Sequence, residues 1–164
     1  EHQAGMDLGD AWEAMLLDVA MTPAELVARA VRDHLADCTY TLPELASRGR
    51  EASLHFFVAN LGEMRKQLFP SLTTAYEAWL EEGDAAVFAE LADRGVSHWR
   101  DLAMQLLGLH ERHGSDAATA IAEAGQGELH QSSESSEIIE VLHGKYPNHA
   151  ILAEEAARIL GLTN

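Results

Sequence analysis

Apolar side chains recur every three or four residues along most of this chain, and the steadiest such stripe runs from Asp84 to His113. Alternating steps of four and three give Phe88, Ala92, Gly95, Trp99, Leu102, Leu106, Leu109 and His113. Only a helix returns side chains to one face at that spacing. The pattern predicts a single helix over 84–113, about 45 Å long, with Asp84 as N-cap and Gly114 as stop. Gly95 lies on the stripe, where it weakens the helix but lets another helix come close.

The remaining segments arrange themselves around this one. Residues 1–9 carry no helical period and read as a loose arm. Asp10 and Glu13 have capping-box spacing ahead of Trp12, Leu16 and Val19, so a first helix ends near Ala20. Thr22, Pro23 and Glu25 start a second, running to about Asp37 and burying Leu26, Val27, Ala30, Val31 and Leu35. Thr41 and Glu44 repeat the device for a third helix, expected to run unbroken from Leu42 until Pro70 interrupts the hydrogen-bond ladder. Leu72, Ala75, Tyr76, Trp79 and Leu80 form a fourth, stopped at Gly83. After the central helix, Ser115 caps a short Ala-rich helix ending near Ala124. Residues 127–136, rich in Gly and Ser, read as a loop or hinge. Two further helices, 137–143 and 149–160, form a C-terminal extension that docks on the bundle or on a second chain. The expectation is an all-α bundle of seven to eight helices around a long central helix. It divides into a main bundle over 1–126, the hinge and an extension over 137–164.

Composition narrows what such a bundle does. With 164 residues and 47% hydrophobic content, one domain with a substantial core is expected. The 27 acidic residues against 11 basic ones leave a net charge of −16, which repels polyanions and argues against direct nucleic-acid binding. The single Cys38 cannot form an internal disulfide, and no apolar run approaches the roughly 20 residues of a membrane span. A cytoplasmic protein without membrane contact is the expectation.

Nine histidines supply the candidate chemistry. Glu51 and His55 lie one turn apart on the third expected helix, and His110 and His113 close the central one. Helical bundles hold metals with inward-facing His and carboxylates of this kind, which makes these four the metal candidates. Helix-dipole stabilisation at a C-terminus explains His110 and His113 equally well. Phe56, Trp79 and Trp99 are the aromatic candidates for lining a small-ligand pocket. Histidines among so many carboxylates should hold their protons to higher pH than usual. No nucleophile elbow or phosphate loop is present. Arg29 and His34 have the Arg-x4-His spacing of helical ribonuclease domains, which the acidic charge disfavours. Residues 154–163, EEAARILGLT, resemble the first helix and turn of bacterial helix-turn-helix motifs, without the recognition helix. The functional expectation is a non-enzymatic interaction or regulatory module with no cofactor, working through a protein partner or a second copy of itself. A bundle binding a divalent metal or a small ligand is the alternative.

Overall fold

The computed structural model describes residues 2–134, with side chains from 8 to 129. Residues up to Leu129 form one compact unit. Every regular element among the described residues is helical, and the segments fall into six helical runs, the first of them kinked at Gly9. That is fewer than the expected seven to eight separate helices, and the two expected helices of the extension lie outside the described residues.

The segments are α1 (His2–Asp18), α2 (Pro23–Ala36), α3 (Leu42–Arg48), α4 (Glu51–Ala59), α5 (Glu63–Leu68), α6 (Pro70–Glu82), α7 (Ala86–His113) and α8 (Ala117–Glu134). A π-helical turn, Asp37–Thr41, joins α2 to α3, and a 3-10 turn, Gly114–Asp116, joins α7 to α8. α7 is the centre: α1, α2, the π turn, α3 and α6 all lie against it. Phe88, Ala92, Gly95, Trp99, Leu102 and Leu106 of its stripe are buried, while His113 at the end is exposed. The close approach at Gly95 comes from a side chain rather than a helix backbone. A Cβ built there would fall deep inside contact with Cys38 Sγ, and Phe69 Cζ lies 3.5 Å away.

Four expectations change. Residues 2–8 are helical, and α1 is interrupted at Gly9 (φ 72°, ψ −170°) rather than preceded by a loose arm. Thr22 precedes Pro23 in the extended conformation of an N-cap, but its hydroxyl donates back to Val19 O (2.6 Å). Glu25 Oε2 takes the N–H of Met21 (2.7 Å), a non-glycine residue at φ 62°. Leu26, expected inside, is exposed, because the buried face of α2 turns through Val27, Ala30, Val31 and His34.

The third expected helix is not one helix. Its predicted start disappears: Thr41 has helical backbone angles, and α2 runs into α3 through the π turn, where Leu42 N–H bonds to Asp37 O. The wider turn carries the chain into α3 at Pro43, which lacks the N–H an α-helical ladder requires. The helix then breaks twice. Gly49 adopts the left-handed conformation (φ 57°, ψ 25°) that ends α3. Asn60 ends α4, its Nδ2 donating to Phe56 O (2.7 Å), and Gly62 is extended. The expected break before Pro70 is present, with Pro70 at the start of α6.

Residues 127–134, expected as hinge, continue α8. Ala117, Ile121 and Gly125 are buried at four-residue spacing, and Leu129 packs against the core one turn on. Gly125 is there for closeness, since an added Cβ would sit 2.5 Å from Val27 Cγ2. A composition that suggested a linker is held in helix by tertiary contact.

Candidate functional site

The face of α2 that packs on α7 contains Val27, Val31, His34 and, in the π turn, Cys38. His34 is fully buried among apolar neighbours. Its ring stacks on Trp99 (centroids 4.7 Å apart, planes 28° apart) and meets the edge of Phe69 (5.1 Å). Nε2–H donates to the carbonyl oxygen of Arg65 (2.9 Å), which places the proton on Nε2 and leaves Nδ1 unprotonated. Burial, and secondarily the Arg65 guanidinium, push its pKa down to about 3, so the ring is neutral at physiological pH.

One turn on, Asp37 is also buried and pairs with the Arg65 guanidinium. Burial pushes its pKa up to about 6, against the opposing pull of Arg65 and a hydrogen bond with Thr41. Cys38 lies beside it, its thiol pushed up to about 12 by burial. Such a thiol is not a nucleophile at neutral pH. His34 Nδ1, Arg65 Nε and Trp99 Nε1 are buried without a hydrogen-bond partner among the described residues. The sequence reading missed this cluster, although a signal was available: His34 occupies an apolar phase of α2, where a polar side chain needs a partner from another element. That partner, Arg65, lies 31 residues on.

Arg65 also reaches the surface. It lines an open groove of about 610 Å³ on α3 and α4, walled by Leu45, Ala52, Phe56, Phe57 and Leu61. Thr41, Ser53 and Asn60 supply the remaining polar edge. Phe56 stands 71% exposed in this wall. A smaller groove of about 260 Å³ between α2 and α5 has Arg65 in its lining as well. The larger groove exists because the chain breaks: Gly49 and Asn60 delimit α4, which lines the groove opposite the π turn and α3.

The metal candidates do not come together. Glu51 and His55 are exposed on α4, and His55 Nδ1 is hydrogen-bonded to Tyr76 Oη (2.6 Å) beside the Trp79 ring. His110 pairs with Asp18 of α1 (2.7 Å), and His113 is exposed at the end of α7. Among the described residues no three His, Cys, Asp or Glu side chains are placed to share an ion. The aromatic candidates separate too. Trp99 stacks on His34, Trp79 faces Phe88 (6.1 Å), and Phe56 lies in the groove. Two of the three, Trp79 and Trp99, are core, where a large aromatic side chain buries the most apolar area. Arg29 is bound to Glu25 on the exposed side of α2 (2.8 Å) while His34 is buried, so the two form no joint site. The uniform upward shift expected of the histidines fails at His34. It holds at His98, whose pKa is raised chiefly by its hydrogen bond to Glu128 of α8 (2.6 Å).

A model of the C-terminal domain of a family of unknown function, DUF6866, matches residues 1–128. The chain belongs to that family. No curated protein and no solved structure matches it. The DUF6866 match spans α1 through most of α8, and so includes the whole Arg65 cluster and both grooves. No described helix is long and apolar enough to cross a membrane.

Proposed function

We propose that this domain is a non-enzymatic protein-interaction module whose contact surface is the groove on α3 and α4. The observation that carries the reading is Phe56, largely exposed in an apolar wall of a groove with a cation in its lining. Exposed apolar surface gathered into one concavity is what a partner's anchor residues fill, whereas single exposed apolar residues need no such explanation. The chemistry-bearing groups support binding over catalysis. His34 is held neutral away from solvent, Cys38 is a buried thiol, and Asp37 is occupied by Arg65.

The groove is open along its length, so it would leave a small molecule half in water, while ligand pockets enclose most of their ligand. A segment of protein supplies its own cover. Selection of random peptides about four helical turns long against the full chain tests the reading, with counter-selection on Phe56→Ser. Peptides that bind the wild-type chain and lose binding on Phe56→Ser are the expected result. A selection whose binders ignore Phe56→Ser removes the groove as the contact surface.

A further inference from the structure

The groove is built from a long stretch of the chain that is not acidic. Residues 41–69 hold four of the 11 basic residues, Arg48, Arg50, Arg65 and Lys66, against three of the 27 acidic ones, Glu44, Glu51 and Glu63. In the rest of the chain taken together carboxylates outnumber cations more than threefold. Arg48 and Arg50 flank Gly49 at the corner where α3 meets α4, and both are exposed, Arg48 with one guanidinium nitrogen on Glu44 (2.5 Å). Arg65 lines the groove itself.

From this distribution, and resting on the groove being the contact surface, we infer that its occupant is an acidic amphipathic helix of a partner protein. The apolar side of that helix lies against Leu45, Phe56 and Phe57, and its carboxylates face Arg65 and the Arg48–Arg50 corner. At physiological salt, charges interact over roughly 8 Å, so an approaching segment senses the local surface more than the net −16. With the rest of the chain net acidic, an acidic helix is therefore better tolerated at the groove than elsewhere, and a basic one gains less there than against the remaining surface. The supply of hydrogen-bond donors favours the same occupant. A guanidinium carries five N–H donors, and the Arg65 pairing with Asp37 engages Nη2. A carboxylate arriving along the groove extends this pair without dismantling it. A second copy of the chain is the weaker candidate, because two such acidic surfaces repel one another.

The test uses the Phe56-dependent peptides, synthesised alongside counterparts in which every Glu and Asp is replaced by its amide. Each is titrated against the full chain by fluorescence anisotropy at low and high salt, and against the R48E/R50E double variant. Both of its sites are exposed, and its circular dichroism and melting temperature report directly that it is folded. The expected result is that the selected peptides are acidic and that the amide counterparts bind about tenfold more weakly. Salt and R48E/R50E should weaken the acidic peptides alone. Selected peptides that are neutral or basic, or amide counterparts that bind as well as the parents, overturn the acidic occupant while leaving the groove as contact surface. Sedimentation showing a wild-type dimer that Phe56→Ser dissociates would identify a second copy instead, and overturns it as well. A selection that returns no Phe56-dependent peptide fails one step earlier, at the groove itself.

Discussion

α7 and the stretch from Leu42 to Leu68 have nearly the same length and similar apolar spacing, yet one is a single helix of 28 residues and the other is three short ones. Both contain internal glycine. In α7, Gly95 is surrounded by the π turn and Phe69, and helices lie along much of its length, so the glycine penalty of about 1 kcal/mol is offset by packing. Gly49 has nothing close around it, and there the glycine ends the helix in the left-handed conformation. The same residue type is a packing device in one place and a terminator in the other. What differs is the number of neighbours that need the helix to continue. The consequence reaches function, since the well-covered helix carries the core and the broken stretch carries the groove.

Trp99→Ala tests the covered side of this contrast most severely. Trp99 is fully buried against His34, Phe69 and the core, so the change should cost about 3–5 kcal/mol in chemical denaturation. A loss under about 1 kcal/mol would mean that α7 is not the centre of the fold.

Acid comes next. The folded pKa of His34, about 3, lies below its ordinary 6.5, so the folded state takes up a proton less readily than the unfolded chain. Its contribution is complete above pH 6.5 and is lost as pH falls from there toward 3. Asp37 acts in the opposite sense: its folded value of about 6 lies above its ordinary 3.8, so protonation between these values relieves the cost of burying it. The two slopes offset each other between about pH 6 and 3.8, and because His34 is displaced further, the net loss from the pair falls just below pH 6.5 and again below 3.8. In His34→Leu the offset is removed, so stability should rise as pH falls from about 6 to 3.8, whatever the variant's stability at neutral pH. An unchanged slope would show that His34 is not buried neutral.

Gly95→Ala isolates the close approach. The added methyl meets Cys38 Sγ, so a loss of about 1–3 kcal/mol is expected despite the gain in helix propensity. In a Cys38→Ala background the same change should become neutral or stabilising. Equal losses in both backgrounds would assign the effect to something other than the sulfur.

Smaller effects belong to the surface. His98→Ala removes the exposed pair with Glu128, worth less than about 1 kcal/mol. Because the folded His98 pKa is raised, its contribution is present below pH 6.5 and fades as pH rises through the folded value. A mutational cost that grows with pH would contradict this pairing. Phe56→Ser should change stability by no more than about 0.5 kcal/mol, because the side chain is already in water. A larger loss would make Phe56 a structural residue and take away its role as a free contact.

Much of the fold was legible along the chain. The α7 stripe, the start of α2 at Pro23 and the break at Pro70 follow from local rules, because hydrophobic period and proline chemistry act over a few residues. The candidate site was less legible. His34 could be placed on an apolar face, but nothing near it in sequence indicated Arg65 as its partner. Glu51, His55, His110 and His113 were of the right types for a metal, yet their partners are Tyr76 and Asp18 where the structure gives them one.

Sequence alone determined that this chain is helical, acidic and organised around α7, since propensity, net charge and periodicity are sums over residues that need no knowledge of neighbours. Tertiary structure decided where the helices break, which glycines are packed, that α8 continues through Gly125 and Gly127, and that Arg65 joins a buried ion pair to a surface groove. Those outcomes depend on contacts between segments far apart in the chain. The energy that settles each, a few kcal/mol of packing or desolvation, exceeds any local preference working against it.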